Sequence, residues 1–276
     1  MAAAPSVRRP FAGLAGEGDW VALREIVPAA TAPITLTGEH SGRQVTVATV
    51  LPLGWPAMVR ADGVVFLGLQ VTGSSGDPGR DLAAALTEAL ALNPGSAVTE
   101  VPRAGAGPRL PEMVADEPFT VTVHDGFDYW VEGVPDPDGA VAGSLERANA
   151  SVVPTARLDS VEAAYWARIG IREHLRWVLT EEEDGALDAL VRLHRGGGLG
   201  LGSATDPIGR YVGAFRADGL LVPVWDLVAG TEAAALEEPA VAFRARLDEA
   251  LADDRPLDAE DRRARAGLIG RQVTLR

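Results

Sequence analysis

Arg195-Gly196-Gly197-Gly198-Leu199-Gly200-Leu201-Gly202-Ser203 is the first stretch in which phosphate chemistry could reside. Successive glycines let backbone N–H groups close around an anion. A phosphate loop follows a strand, opens a helix and closes on Lys-Ser or Lys-Thr. This stretch instead follows a helical pattern and precedes a hairpin pattern, and it has no lysine, so it reads as a helix stop and a turn. Gly73-Ser74-Ser75-Gly76-Asp77 does precede a helix, with Arg80 nearby. Its amides could hold a small anion, but the stretch reads as an ordinary strand-to-helix loop.

His124-Asp125, with Asp128 close behind, has the residue types of a metal pair. No further ligand stands in register, and Gly126 beside it favours a turn. His40, His124, His174 and His194 show no i, i+4 pairing on a helix. No serine sits in a Gly-x-Ser-x-Gly elbow. Carboxylate pairs such as Glu237-Glu238 and Asp253-Asp254 fall at solvated helix ends, so no catalytic residue, metal ligand or cofactor motif is assigned.

The remaining candidates are Trp166, Arg168, Arg172, His174, Arg176 and Trp177. Arginines interleaved with indoles have the chemistry of a recognition patch. The competing reading makes the indoles core and pairs each arginine with one of the many glutamates. If the sequence carries a binding site, these six residues are where it is expected.

Asp and Glu outnumber Arg by 39 to 25, for a net charge of −14, and every positive charge is an arginine. An acidic surface repels phosphate backbones, so general nucleic-acid binding is not expected. Cysteine is absent, which excludes disulfides, thiol nucleophiles and thiolate zinc sites. No run is long and apolar enough to cross a bilayer, and no apolar segment follows Met1–Pro10, so neither membrane insertion nor a signal peptide is expected. The cytoplasm is the default location. A hydrophobic content of 47% is enough for a proper core.

The elements that would position these groups are short. Residues 1–17 read as a loose arm, and Gly18-Asp19 caps a helix over 20–27 that Pro28 stops. Period-two alternation predicts strands at 33–37 and 44–50, then a hairpin over 57–71, then a helix from Arg80 to Leu92. The Pro and Gly density of 94–118 marks a linker. Strands follow at 119–123 and 129–132, a turn at 134–139, and a weak helix through 145–149. Residues 161–172 read as a helix capped by Asp159 or Ser160, and 174–179 as a strand on its aromatic and β-branched content. A helix begins at Glu181–Asp184, where anionic groups suit the dipole. Helices at 239–252 and 258–268 lead to a closing strand at 271–275.

Arg216-Ala217-Asp218-Gly219 lies between two apolar strand patterns, and Arg60-Ala61-Asp62-Gly63 repeats it. Asp-Gly between strands is a strong hairpin signal. Both hairpins lead to helices with similar ends, Leu86-Thr87-Glu88-Ala89-Leu90-Ala91 and Leu247-Asp248-Glu249-Ala250-Leu251-Ala252. The expected fold is therefore α+β: two related units of antiparallel sheet with flanking helices, arising from a diverged internal duplication. The first unit is placed at 18–97, the linker at 98–118 and a larger second unit at 119–276. In the organising hairpin, alternation sets Leu221, Pro223, Trp225 and Leu227 on one face, with Trp225 buried against the 239–252 helix.

Five stretches resemble an uncharacterised family of cytosolic proteins from high-GC Gram-positive bacteria. They are Gly18–Thr31, Ser160–Arg168, His174–Trp177, Arg216–Leu227 and Arg262–Arg276. The resemblance runs from about residue 8 to 276 and brings no catalytic residues with it. Some members are labelled preprotein translocase SecA-like, a label that resemblance ties to a Cys-rich zinc module at their N-termini. This chain has no Cys and no Walker loop, so the label is not carried over. The expected function is that of a non-enzymatic cytosolic binding or adaptor protein with an unidentified protein partner. The alternative is an enzyme of unrecognised class using His124, Asp125, Arg168 and His174 in a cleft between the units.

Overall fold

The computed structural model describes residues 7–269 apart from 74, 104, 106, 132–139 and 204. The turn expected at 134–139 and the closing strand expected at 271–275 lie outside the described residues. The chain divides into two compact units, Met1–Val152 and Val153–Arg276. No helix among the described residues is long and apolar enough to cross a membrane.

The first unit contains α1 (Glu17–Glu25), β1 (Ala30–Thr35), β2 (Gln44–Ala48), β3 (Ala57–Val59) and β4 (Val65–Gly68). It continues through α2 (Pro78–Ala89), β5 (Ser96–Val98), α3 (Leu110–Met113), β6 (Thr122–Val123) and α4 (Ala140–Asn149). Its sheet runs β5-β3-β4-β2-β1-β6. The strands were expected to be wholly antiparallel, but β2 and β4 pair in parallel. The return strand of the β3–β4 hairpin, rather than its first strand, lies beside β2.

Residues 7–16 are not a loose arm. Phe11 is fully buried, its ring 5.7 Å from that of Trp20, and Arg9 pairs with Glu17 at 2.6 Å. The stretch expected as a linker is also built into this unit. Ser96–Val98 pairs with β3, Val114 bridges to Leu36, and the Arg109 guanidinium grips Asp77 through Nε at 2.8 Å and Nη2 at 3.2 Å. One of its prolines, Pro111, lies in the first turn of α3. Residues 119–152 belong to the first unit as well, since β6 pairs with β1. The strand expected at 129–132 is a 3₁₀ turn over Asp128–Trp130. Burial of its aromatics decides this: Phe127 and Tyr129 pack with Met58 and Phe66, and the Tyr129 hydroxyl and Trp130 indole both donate to the Val50 carbonyl.

The second unit contains β7 (Thr155–Arg157), β8 (Ala164–Ile169), β9 (Arg172–Trp177), α5 (Glu183–Arg195), β10 (Leu201–Gly202), β11 (Pro207–Ala217), β12 (Leu220–Leu227), α6 (Glu237–Ala252) and α7 (Ala259–Ile269). Its sheet runs β10-β11-β12-β9-β8-β7, antiparallel throughout. The helix expected over 161–172 is instead β8, the Gly170-Ile171 turn and the start of β9. Both faces of β8 are buried from Ala164 to Ala167, so its sequence lacks the apolar–polar alternation that announces a strand. Trp177, Trp225 and Phe243 meet in the core under α5 and α6. The Trp225 and Phe243 centroids lie 5.0 Å apart, edge to face, as expected of the organising hairpin.

Both Asp-Gly sites are hairpin turns, followed by α2 and α6. The likeness does not extend strand for strand: β12 is antiparallel to β9, whereas β4 is parallel to β2.

Candidate functional site

Alternation along β8 and β9 divides the six expected site residues between two faces of the second sheet. Trp166 and Trp177 point into the core and are 5% and 2% exposed, so they present no aromatic surface. The Trp166 indole N–H donates to the Thr231 carbonyl at 2.8 Å. On the same face Arg168 stacks over Trp166 with its guanidinium carbon 5.1 Å from the ring. It also pairs with Glu232 at 2.5 Å and Glu173 at 3.1 Å, which raise its pKa further. His174 and Arg176 occupy the opposite face with Tyr165 and Ala167, and Arg172 is exposed beside the turn. His174 Nδ1 lies 3.0 Å from Asp226 Oδ1. Arg176 is buried, and burial pushes its pKa down to about 10.

The expected catalytic candidates do not assemble within either unit. His124 in the first unit shares a 2.8 Å hydrogen bond with the Thr31 hydroxyl through Nε2 and lies against Tyr129. Arg168 and His174 belong to the second unit and face opposite ways. Among the described residues, no three His, Asp or Glu side chains are grouped to hold a metal ion.

The residues that do converge line a cavity of about 610 Å³ in the second unit, at the open end of the β11–β12 hairpin. The glycine-rich stretch forms one wall, and its conformation follows from how α5 ends. The Gly198 N–H donates to the Leu193 carbonyl and the Gly197 N–H to the His194 carbonyl, with Gly197 left-handed at φ 71°. This is a Schellman stop. Beyond it, side-chain donors engage the carbonyls: Leu199 accepts from the Trp225 indole at 2.7 Å, and Gly200 accepts from Arg246 at 3.0 Å. Donors aimed at these carbonyls are the reverse of a phosphate cradle, in line with the reading of this stretch as a helix stop.

Leu199, Leu227, Val228 and Leu268 supply apolar wall, and Tyr211 adds an aromatic edge. His194 from the last turn of α5, Arg210 and Asp226 bring polar groups to the same space. Asp226 is held between His174 and Arg210, whose Nη2 lies 3.7 Å from its Oδ2. At Gly209 a side chain would meet Leu227 at 2.9 Å and Leu201 at 3.1 Å, so the hairpin end closes tightly only with glycine there. Apart from Leu199 in the glycine-rich stretch, none of the lining residues named here was weighed as part of a binding site from sequence. Leu268, Val228 and Leu199 carry no local signal, because only the packing of α5, α7 and the hairpin brings them together.

Residues 10–276 match a family of unknown function, DUF5926, and the chain belongs to that family. No curated protein and no solved structure matches it significantly.

Proposed function

We propose that the chain is a non-enzymatic binding protein whose second unit receives a small, largely apolar molecule with one polar end. The observation that carries this reading is the cavity itself. Its volume of about 610 Å³ falls within the roughly 300–1,000 Å³ typical of ligand sites. Apolar walls with a few polar groups are the usual composition of such sites. The arrangement of the polar groups supports binding: Asp226, beside His174 and Arg210, is placed to orient a ligand's polar end.

The test uses 1-anilinonaphthalene-8-sulfonate, an apolar fluorophore with an anionic end. The wild-type protein should bind it at one saturable site with enhanced fluorescence. Val228→Trp should abolish that site, because Val228 is 55% exposed and a larger side chain there blocks the mouth without disturbing the core. Equal binding by the folded variant, shown by an unchanged melt, would count against the cavity as the site.

A further inference from the structure

Among the described residues, no ion pair answers the positive charge of Arg176. The residue is only 8% exposed, and its Nε has no hydrogen-bond partner among the described residues. Its place in the sheet explains why. Tyr165 on β8 and Val224 on β12 lie across from it, and His174 and Val178 precede and follow it on the same face. The nearest carboxylate in register, Asp226, is directed to His174 at 3.0 Å and to Arg210 at 3.7 Å. A buried lysine in this setting would shed its proton, whereas a guanidinium stays charged. An uncompensated buried charge is strongly destabilising, so a native protein keeps one where something else supplies the counter-charge.

We propose that Arg176 anchors a binding site for a small oxyanion, the phosphate or carboxylate group of a small molecule, on the sheet face opposite the Trp177–Trp225–Phe243 core. The planar fork of a guanidinium matches both groups through two parallel N–H···O bonds. Burial strengthens such a pair by excluding water and salt. His174, on the same face, adds a second polar group beside the anion. Arg176 does not line the apolar cavity, although His174 touches both sites through its contact with Asp226.

Isothermal titration and thermal melts with inorganic phosphate, with acetate, and with sodium chloride at matched ionic strength test this directly. Wild type should bind phosphate or acetate with one-to-one stoichiometry, and its melting midpoint should rise beyond the chloride control. Whichever anion acts identifies the source of the group. Arg176→Met should bind neither, and without added anion it should melt at or above the wild type, since the substitution removes the unanswered charge. Arg176→Lys loses the fork and, buried in this setting, sheds its proton as well, so it should bind at least tenfold more weakly, which decides the matter if the Met variant does not fold. Wild-type protein that responds to neither anion, or an Arg176→Met protein that binds as wild type does, would overturn the site.

Discussion

The two Arg-Ala-Asp-Gly hairpins use the same four residues to make different turns. In the second unit Asp218 and Gly219 are both left-handed, with φ 42° and 79°, and Ala217 pairs directly with Leu220. That is a two-residue type I′ connection. In the first unit only Gly63 is left-handed, at φ 89°, and the Arg60 N–H donates to the Val64 carbonyl across a three-residue loop. One additional loop residue shifts the register by one, and a shift of one exchanges the faces of a strand. Aligned on the tetrapeptide, Met58 corresponds to Ala214. Met58 pairs with Phe66 and packs with Phe127 and Tyr129, whereas Ala214 joins the helix-side core with Leu221 and Trp225. The difference teaches that a local motif specifies that the chain turns, while the packing of the flanking strands selects how.

The largest test of this contrast is Trp225→Ala. Its indole is fully buried against Trp177 and Phe243 and donates to the Leu199 carbonyl. Truncation should cost about 3–5 kcal/mol, read as a lowered midpoint in denaturant. An unshifted midpoint would mean that the second hairpin is not the centre of its unit's core.

Next in size is an alkaline effect in the first unit. Burial pushes the Tyr129 phenol up from 10.0 to about 12, against hydrogen bonds with Thr49 and Trp130. The folded state holds the proton more tightly than the unfolded chain. Its contribution is therefore complete below about pH 10 and lost as pH rises toward 12. A shift of that size is worth about 2–3 kcal/mol. Tyr129→Phe should flatten the alkaline limb of the stability profile while losing the bond to Val50; an unchanged limb would mean that this phenol ionises freely.

These outcomes bear on how much was readable in advance. The Asp-Gly turns, α2, α5, α6 and the burial of Trp225 were legible, because each rests on signals within a few residues. The strand expected at 174–179 overlaps β9, but β8 and the turn between them were not legible, since burial on both faces of β8 removed the alternation and left Arg168, Arg172 and Arg176 spaced like a helical stripe. The linker expected at 98–118 was read from Pro and Gly density, although Pro111 lies in the first turn of α3, and the Val114 bridge to Leu36 that ties the stretch down is a long-range contact. The candidate sites were the least legible. The cavity needs α5, β11, β12 and α7 together, and the isolation of Arg176 depends on which side chains fail to reach it.

The turn difference itself can be broken with a β-branched residue. Asp218→Val forces a left-handed φ on a side chain that resists it, at a cost of about 1–2 kcal/mol. Asp62 does not have positive φ, so Asp62→Val escapes that strain and should lower the midpoint less than Asp218→Val, losing only the Asp62 side-chain bonds to Arg60 and the Val64 N–H. Equal losses at both sites would show that the two turns are alike in solution.

The smallest effect separates the helices that follow the two hairpins. The α2 helix is capped from within, with Asp77 accepting from the Gly79 N–H at 3.1 Å. The α6 helix has no such cap, and its first residue instead reaches back. The Glu237 carboxylate accepts from the Asp159 N–H at 3.1 Å and the Ser160 N–H at 2.9 Å, fastening the loop before β8. Burial acts to raise the Glu237 pKa, but the hydrogen bonds from Ser160 and Asp159 outweigh it and hold the group below its ordinary value. The sign follows from that direction. A carboxylate with a depressed folded pKa stabilises fully above its unfolded value, near 4.3, and the contribution is lost as pH falls through the folded value. The group is partly exposed, so solvent screening keeps the effect near about 0.5 kcal/mol. Melts of wild type and Glu237→Gln between pH 6 and pH 3 should therefore converge as the pH falls, the wild type starting slightly higher. Parallel curves would show that the carboxylate does not hold this loop.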